Sequence, residues 1–309
     1  MSSWVKPRAL RPGDLVGICA PSGPVDTDRL GRGAAEIESL GFRVRVPDGI
    51  GERLRFTAGS AERRLGELQA LMSDEDVAGI VCARGGAGAG GLLRRLDGAL
   101  ADAHPKVFVG YSDATFLHLW LNARGLVTFH GPMAAREMAD GSYDRDSFLR
   151  AVTGEGAPYA TEVDDLVPLR PGAARGRLLG GCLSILAAAA GTPWGLGPRD
   201  EPVVLFIEDV DEPPYRLERM LVQLRESGAF GSVVGIAFGD MKGCSPPIAG
   251  DYALEEVILD ALAGLDVPIA LGLSSGHASG PAVTVPLGVQ VRLVSGAEAR
   301  LEVLEAAVA

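Results

Sequence analysis

Long apolar runs are missing from this chain of 309 residues: nothing approaches the stretch of about 18 apolar residues that would span a bilayer. A soluble protein with no membrane partner is expected. The opening stretch, MSSWVKPRALRPGDLVGICAPS, lacks the basic segment, apolar core and small-residue cleavage site of a secretory signal, which predicts a cytoplasmic location. Positive charge is also short, with 29 Lys and Arg against 40 Asp and Glu, a net charge of -11. Phosphate binding relies on Lys and Arg that release counterions, so no nucleic-acid partner is expected. Cysteine is sparse and scattered: Cys19, Cys82, Cys182 and Cys244 form no CxxC pair and read as buried thiols. Four dispersed histidines and no HExxH argue against a catalytic metal, and neither metal nor cofactor is expected.

What is present is alternation. Strands are predicted at 15–20, 42–47, 77–83, 106–110 and 126–131, with helices between them, as over 29–41 and 60–74. This pattern implies an α/β fold with a mainly parallel sheet whose ligands sit at the carboxyl edge of the strands. From 156 to 175 the pattern loosens into glycine, proline and acids, which predicts a linker between a domain over 1–155 and another over 176–309. The second domain again alternates, with strands at 202–208 and 233–240 and in PIALGL. Its tail, AVTVPLGVQVRLV with ARLEVLE, has a hairpin signature.

Three stretches carry candidate chemistry. In CARGGAGAGGLLRRL (82–96), Gly86, Gly88 and Gly91 fit G-x-G-x-x-G, the spacing of a dinucleotide cradle. The motif follows an internal strand, with no clear ribose-binding acid ending a neighbouring one, so a dinucleotide-dependent oxidoreductase is a remote alternative. In VFVGYSDATFLHLWL (107–121), Ser112 lies at a strand-to-helix turn, the logic of a nucleophile elbow, although GYSDA is not GxSxG. The competing reading is that Ser112 or Asp113 caps the following helix. A serine nucleophile needs a base and an orienting acid. His277, in the small-residue loop SSGHASGP, is the best-placed base; His130 ends a strand and reads as a pocket residue, His118 as packed or on a surface, and His104 has the weakest claim. Glu208 ends VVLFIE and is the candidate acid, with Asp209, Asp211 and Glu212 read as a solvated turn.

Taken together, RPGDLVGICAPSGPVD, ARGGAGAGGLLRRLD, VGYSDATFLHLW, TFHGPM, LLGGCLSILAAAAGTPW, LFIEDVDEPPYRLERMLVQL and SSGH resemble, in order, the LD-carboxypeptidases of serine peptidase family S66. The resemblance implies a flavodoxin-like, class I glutamine amidotransferase-like N-terminal domain and a swivelling C-terminal β/α domain, with a triad assembled across their interface. It implies Ser112 as nucleophile, Glu208 as orienting acid and His277 as base, with the backbone N–H groups of Gly86 and Asp113 as oxyanion hole. The implied partner is a muropeptide tetrapeptide that loses its terminal D-alanine in peptidoglycan recycling, and the implied assembly is a homodimer. Gly85, Ala87, His130 and Cys182 are the candidate substrate-binding residues. Ala87 stands where the family commonly has tyrosine and Cys182 where it commonly has asparagine. Both departures leave open a microcin C immunity-type hydrolase acting on aminoacyl-nucleotide antibiotics. A noncatalytic protein that binds ligand in the cleft is a further alternative.

Overall fold

A computed structural model describes residues 4–160 and 166–309. The chain forms two compact units. One runs to Gly156 and takes in Pro281–Gly288 and Ala306–Ala309; the other holds Ala157–Gly280 and Val289–Glu305. In chain order the elements are β1 (Leu15–Cys19), α1 (Thr27–Ser39), β2 (Arg43–Arg45), α2 (Ala61–Ser73), β3 (Val77–Cys82), α3 (Gly98–Ala103), β4 (Val107–Gly110), α4 (Thr115–Ala123), β5 (Thr128–His130) and α5 (Arg145–Thr153). There follow β6 (Tyr159–Ala160), β7 (Val167–Arg170), β8 (Gly172–Cys182), α6 (Leu183–Ala189), β9 (Val203–Glu208), α7 (Pro214–Glu226), β10 (Val233–Gly239), α8 (Leu254–Ala261), β11 (Ile269–Leu273), β12 (Val285–Leu287), β13 (Gln290–Ser295) and β14 (Arg300–Val303).

The first unit holds a six-stranded sheet ordered β12-β5-β4-β3-β1-β2. Strands β1 to β5 run parallel, and β12 lies antiparallel on β5 with Val285 opposite His130. Residues of β1 and β4 are buried throughout, as expected of strands covered on both faces. Helices α1, α2 and α5 begin at side-chain caps: Asp26 accepts from the N–H groups of Asp28 and Arg29, Ser60 from Arg63, and Asp144 from Ser147. Helix α1 buries Leu30, Gly33 and Ile37 along one stripe. At Gly33 a Cβ would sit 1.8 Å from the carbonyl oxygen of Ala134, so the helix packs backbone to backbone on the turn at 134–138.

In the second unit an eight-stranded sheet has the order β6-β14-β13-β8-β9-β10-β11-β7. Its centre, β8 to β11, is parallel; β13, β14, β6 and β7 are antiparallel to their neighbours. The fold is thus mixed α/β with two sheets.

Two expectations need correction. The stretch read as a linker contains β6, β7 and the start of β8, while residues 161–165 of it lie outside the described residues. Gly172 and the proline before it bend the chain between β7 and β8 without ending either strand's pairing, and Val167 is half exposed on an edge strand, which leaves little apolar alternation to read. The tail also divides: β13 and β14 form the expected hairpin, but β12 belongs to the first sheet. Alternation reveals a strand and its faces but not the sheet it joins.

Candidate active site

In the first unit, β3, β4 and β5 end at Cys82, Gly110 and His130, and the turns that follow lie at the carboxyl edge of the sheet. Ser112 opens a 3-10 turn, Ser112–Ala114, that leads into α4. Its φ of 62° is left-handed, a conformation that costs a non-glycine residue on the order of 1–3 kcal/mol and concentrates at functional sites. A strand-to-helix turn with this backbone is the geometry that a nucleophile elbow uses. The capping alternative fails on geometry. Neither the turn nor α4 has a side-chain cap bond, and the Asp113 carboxylate instead accepts from the Ala89 N–H at 2.8 Å. Burial pushes the Asp113 carboxyl above its usual range.

The glycine stretch lies against this serine. A Cβ on Gly85 would fall 2.6 Å from Ser112 Cβ and 2.7 Å from its Oγ, so only glycine fits. Gly86, at φ 122°, would meet the backbone of Gly23 at 3.0 Å; it is exposed, as is Ala87. Arg64 holds the loop from within, donating from Nη1 to the carbonyls of Pro21 at 2.6 Å and Gly88 at 2.9 Å. Sequence reasoning missed Arg64, although a signal exists: it sits one turn before Leu68 on the buried face of α2, where a cation needs a partner. Gly88 and Gly90 are tightly packed against Arg64 and Phe116, whereas Gly91 faces open space. The dinucleotide spacing is therefore a by-product of packing around a 3-10 turn, Ala89–Arg95.

In the second unit, Glu208 ends β9 with its side chain 1% exposed. Its Oε2 accepts from His277 Nδ1 at 2.7 Å and from the His277 backbone N–H at 3.1 Å. With the proton on Nδ1, the Nε2 lone pair is left to act as a base. The His277 side chain is 15% exposed, buried enough to be oriented and open enough to reach a reactant. Gly239 makes room for the acid, since a Cβ there would lie 2.7 Å from that of Glu208. Asp209, expected in a solvated turn, is buried instead: its carboxylate accepts from the N–H groups of Ser184 at 2.8 Å and Val210 at 2.9 Å, and burial raises its pKa.

Two expected substrate contacts are corrected. His130 is fully buried, with its ring 5.8 Å from Tyr111 and 6.2 Å from His118, and so offers no surface to a ligand. Cys182 ends β8 directly opposite Glu208, is 3% exposed, and lies with Sγ 3.3 Å from Ser184 Oγ. Burial raises its thiol pKa well above the ordinary value. It packs beside the acid as a small neutral side chain. His118 is a core residue too, bonded through Nε2 to the Gly110 carbonyl at 2.8 Å, and burial, helped by His130, pulls its pKa down to about 3.

Family models place an LD-carboxypeptidase N-terminal domain over residues 16–131 and an LD-carboxypeptidase C-terminal domain over 175–293. The chain belongs to the LD-carboxypeptidase family, S66. A probable murein peptide carboxypeptidase of Bacillus subtilis is 36% identical to this family member over 93% of the chain and 91% of its own length. The crystal structure of muramoyltetrapeptide carboxypeptidase from Oxalobacter formigenes is 29% identical, with a TM-score of 0.81 over 94% of this chain and 99% of that one. The microcin C7 self-immunity protein MccF, in its wild-type apo state, has a TM-score of 0.89 over 99% of this chain and 100% of that one; at 24% identity it shares the fold. No described helix is long and apolar enough to cross a membrane.

Proposed function

We propose that this LD-carboxypeptidase is a serine hydrolase that removes the terminal D-alanine from muropeptide tetrapeptides. The observation that carries the reading is Ser112, held at φ 62° with the bare backbone of Gly85 against its hydroxyl. The Glu208–His277 bond supplies the second half of the chemistry. In the proposed reaction His277 Nε2 takes the Ser112 proton as Oγ attacks the carbonyl carbon. Glu208 keeps the other ring proton on Nδ1 and balances the imidazolium. The N–H groups of Gly86 and Asp113 receive the oxyanion; the loss of one such donor costs about 10²- to 10³-fold in rate. The imidazolium then protonates the departing D-alanine amine, and water, activated by the same ring, releases the acyl group.

The strand order β2-β1-β3-β4-β5 supports a flavodoxin-like first domain, and family resemblance supports a swivelling second domain, a homodimer and a role in cytoplasmic peptidoglycan recycling. The exposed Ala87, with no ring to wall the site, favours as second reading a microcin-type substrate, an aminoacyl nucleotide. A mass-spectrometric digest of mixed muropeptides, run beside an aminoacyl sulfamoyl adenylate, separates the two. Ser112→Ala is expected to fold normally and to lose both turnover and labelling by a serine-directed phosphonate. Retained turnover would remove Ser112 from the mechanism.

A further inference from the structure

An exopeptidase must tell a terminal amide from an internal one. The feature that marks the terminus is the carboxylate, separated from the scissile carbonyl by only an N–Cα unit. A site for it must therefore lie beside the oxyanion donors and be positive, in a chain whose net charge is -11. Beside the glycine turn of the first unit such a place exists. Arg84 precedes Gly85 and Gly86; its Nε donates to the Gly85 carbonyl at 3.2 Å and its Nη1 to that of Pro24 at 3.1 Å. Nη2 is the guanidinium nitrogen nearest Gly86, 4.0 Å from where a Cβ on that residue would be.

The turn at 134–138 carries a second arginine. Ala135 donates its N–H to the carbonyl of Ala83 at 2.8 Å, which bolts the turn to the residue before Arg84. Arg29 Nε donates to the Ala135 carbonyl at 2.9 Å and fixes the same turn from α1. The next residue, Arg136, is exposed. Arg29 is paired with Asp140, and the neighbouring Glu137 is occupied by Tyr111 Oη at 2.6 Å and the Met133 N–H at 3.2 Å. Among the described residues, neither Arg84 nor Arg136 is paired with a carboxylate. Burial first, and then the charges of Arg136 and Arg29, hold the Arg84 guanidinium below its ordinary pKa. Two like charges brought together without an acid between them form a site that an anion relieves.

Resting on the carboxypeptidase reading above, we infer that Arg84 and Arg136 bind the terminal carboxylate of the substrate and set the preference for a free C-terminus. Arg84, fixed by its two carbonyl bonds, offers a donor beside Gly86. Arg136, on a turn pinned at Ala135, adds charge from the solvent side.

The test compares one tetrapeptide with a free C-terminal D-alanine against the same peptide ending in D-alanine amide. The wild type is expected to favour the acid by about 100-fold in kcat/KM, the range of charge-assisted contacts. Arg136→Gln lowers the acid-to-amide ratio about tenfold, mainly through KM of the acid, and Arg136→Lys restores most of it. Arg84→Lys, which keeps the charge and loses the fork, lowers the ratio to an intermediate value. A purely structural role predicts that both peptides slow together with the ratio intact, and that result overturns the assignment, as does a wild type indifferent to amidation. Hydrolysis of neither peptide overturns the functional reading itself and the anchor with it.

Discussion

Gly85→Ala is the sharpest perturbation of the serine turn. The added methyl would lie 2.6 Å from Ser112 Cβ and 2.7 Å from Oγ, where carbon contacts prefer about 3.5–4.0 Å. The overlap is on the order of 1 Å, and Ser112 cannot yield along its backbone, because it already holds φ at 62° between β4 and α4. The hydroxyl must therefore move by a comparable distance, and a misplacement of about 1 Å costs about 100-fold in rate. Overpacking adds about 1–3 kcal/mol of destabilisation. The assays are kcat and KM on a muropeptide, the rate of phosphonate labelling, and urea unfolding of the same preparation. The expected pattern is a fall of about 100-fold or more in kcat and in labelling, with a cooperative unfolding transition at somewhat lower urea. A variant that turns over and labels within threefold of wild type would refute the reasoning, because the hydroxyl could not then be both the nucleophile and the atom against Gly85.

Three other outcomes are expected. Glu208→Gln retains an acceptor but can no longer hold the Nδ1 proton as a carboxylate does, so kcat is expected to fall on the order of 10³- to 10⁴-fold with little change in KM; a loss below tenfold would exclude Glu208 as the orienting acid. His118 has its folded pKa depressed to about 3 against about 6.5 unfolded. Its contribution is thus complete above the unfolded value and is lost as pH falls from about 6.5 toward 3. By pH 5 the loss is about 2 kcal/mol, and urea titrations of wild type and His118→Gln at pH 8 and pH 5 should differ in pH dependence by that amount, whereas parallel dependences would place the His118 proton elsewhere. Gly33→Ala drives a methyl into the Ala134 carbonyl, 1.8 Å away, where backbone rather than a flexible side chain must give; a cost of about 3 kcal/mol or more is expected in urea unfolding, and a neutral substitution would show that α1 stands off the turn.

Much of the local architecture was legible because it depends on local rules. Ser60 before an apolar stripe marks the start of α2, and the run VFVG followed by an apolar helical face marks the turn at Ser112. Glu208 could be singled out because an ionisable group ending an apolar strand must find a partner, which in the fold is His277. What escaped notice depends on contacts between distant segments. Asp209 looks solvated beside Asp211 and Glu212, and only the docking of the Ser184 N–H explains its burial. His130 ends a strand, as a pocket residue would, but β12 pairs with β5 directly at it and Tyr111 packs on its ring. Arg136 is silent in the sequence because the turn that carries it is placed by the Ala135–Ala83 bond, made between segments far apart in the chain.

The threading of the two units bears on how the molecule is made. The turn that carries Ser112 is synthesised in the first half of the chain, but the sheet beneath it lacks its edge strand until Val285–Leu287 exists. The same unit is tied off later still, where Ala9 and Ala309 exchange backbone bonds through the carbonyls of Ala309 and Pro7. The second unit can complete its sheet from the segment up to Glu305, while the first also draws on Ala306–Ala309. On the ribosome, the unit begun first therefore waits for β12, which follows Ala157–Gly280 in the chain, and a nascent chain cannot hold its serine turn on a completed sheet before Val285–Leu287 has been made.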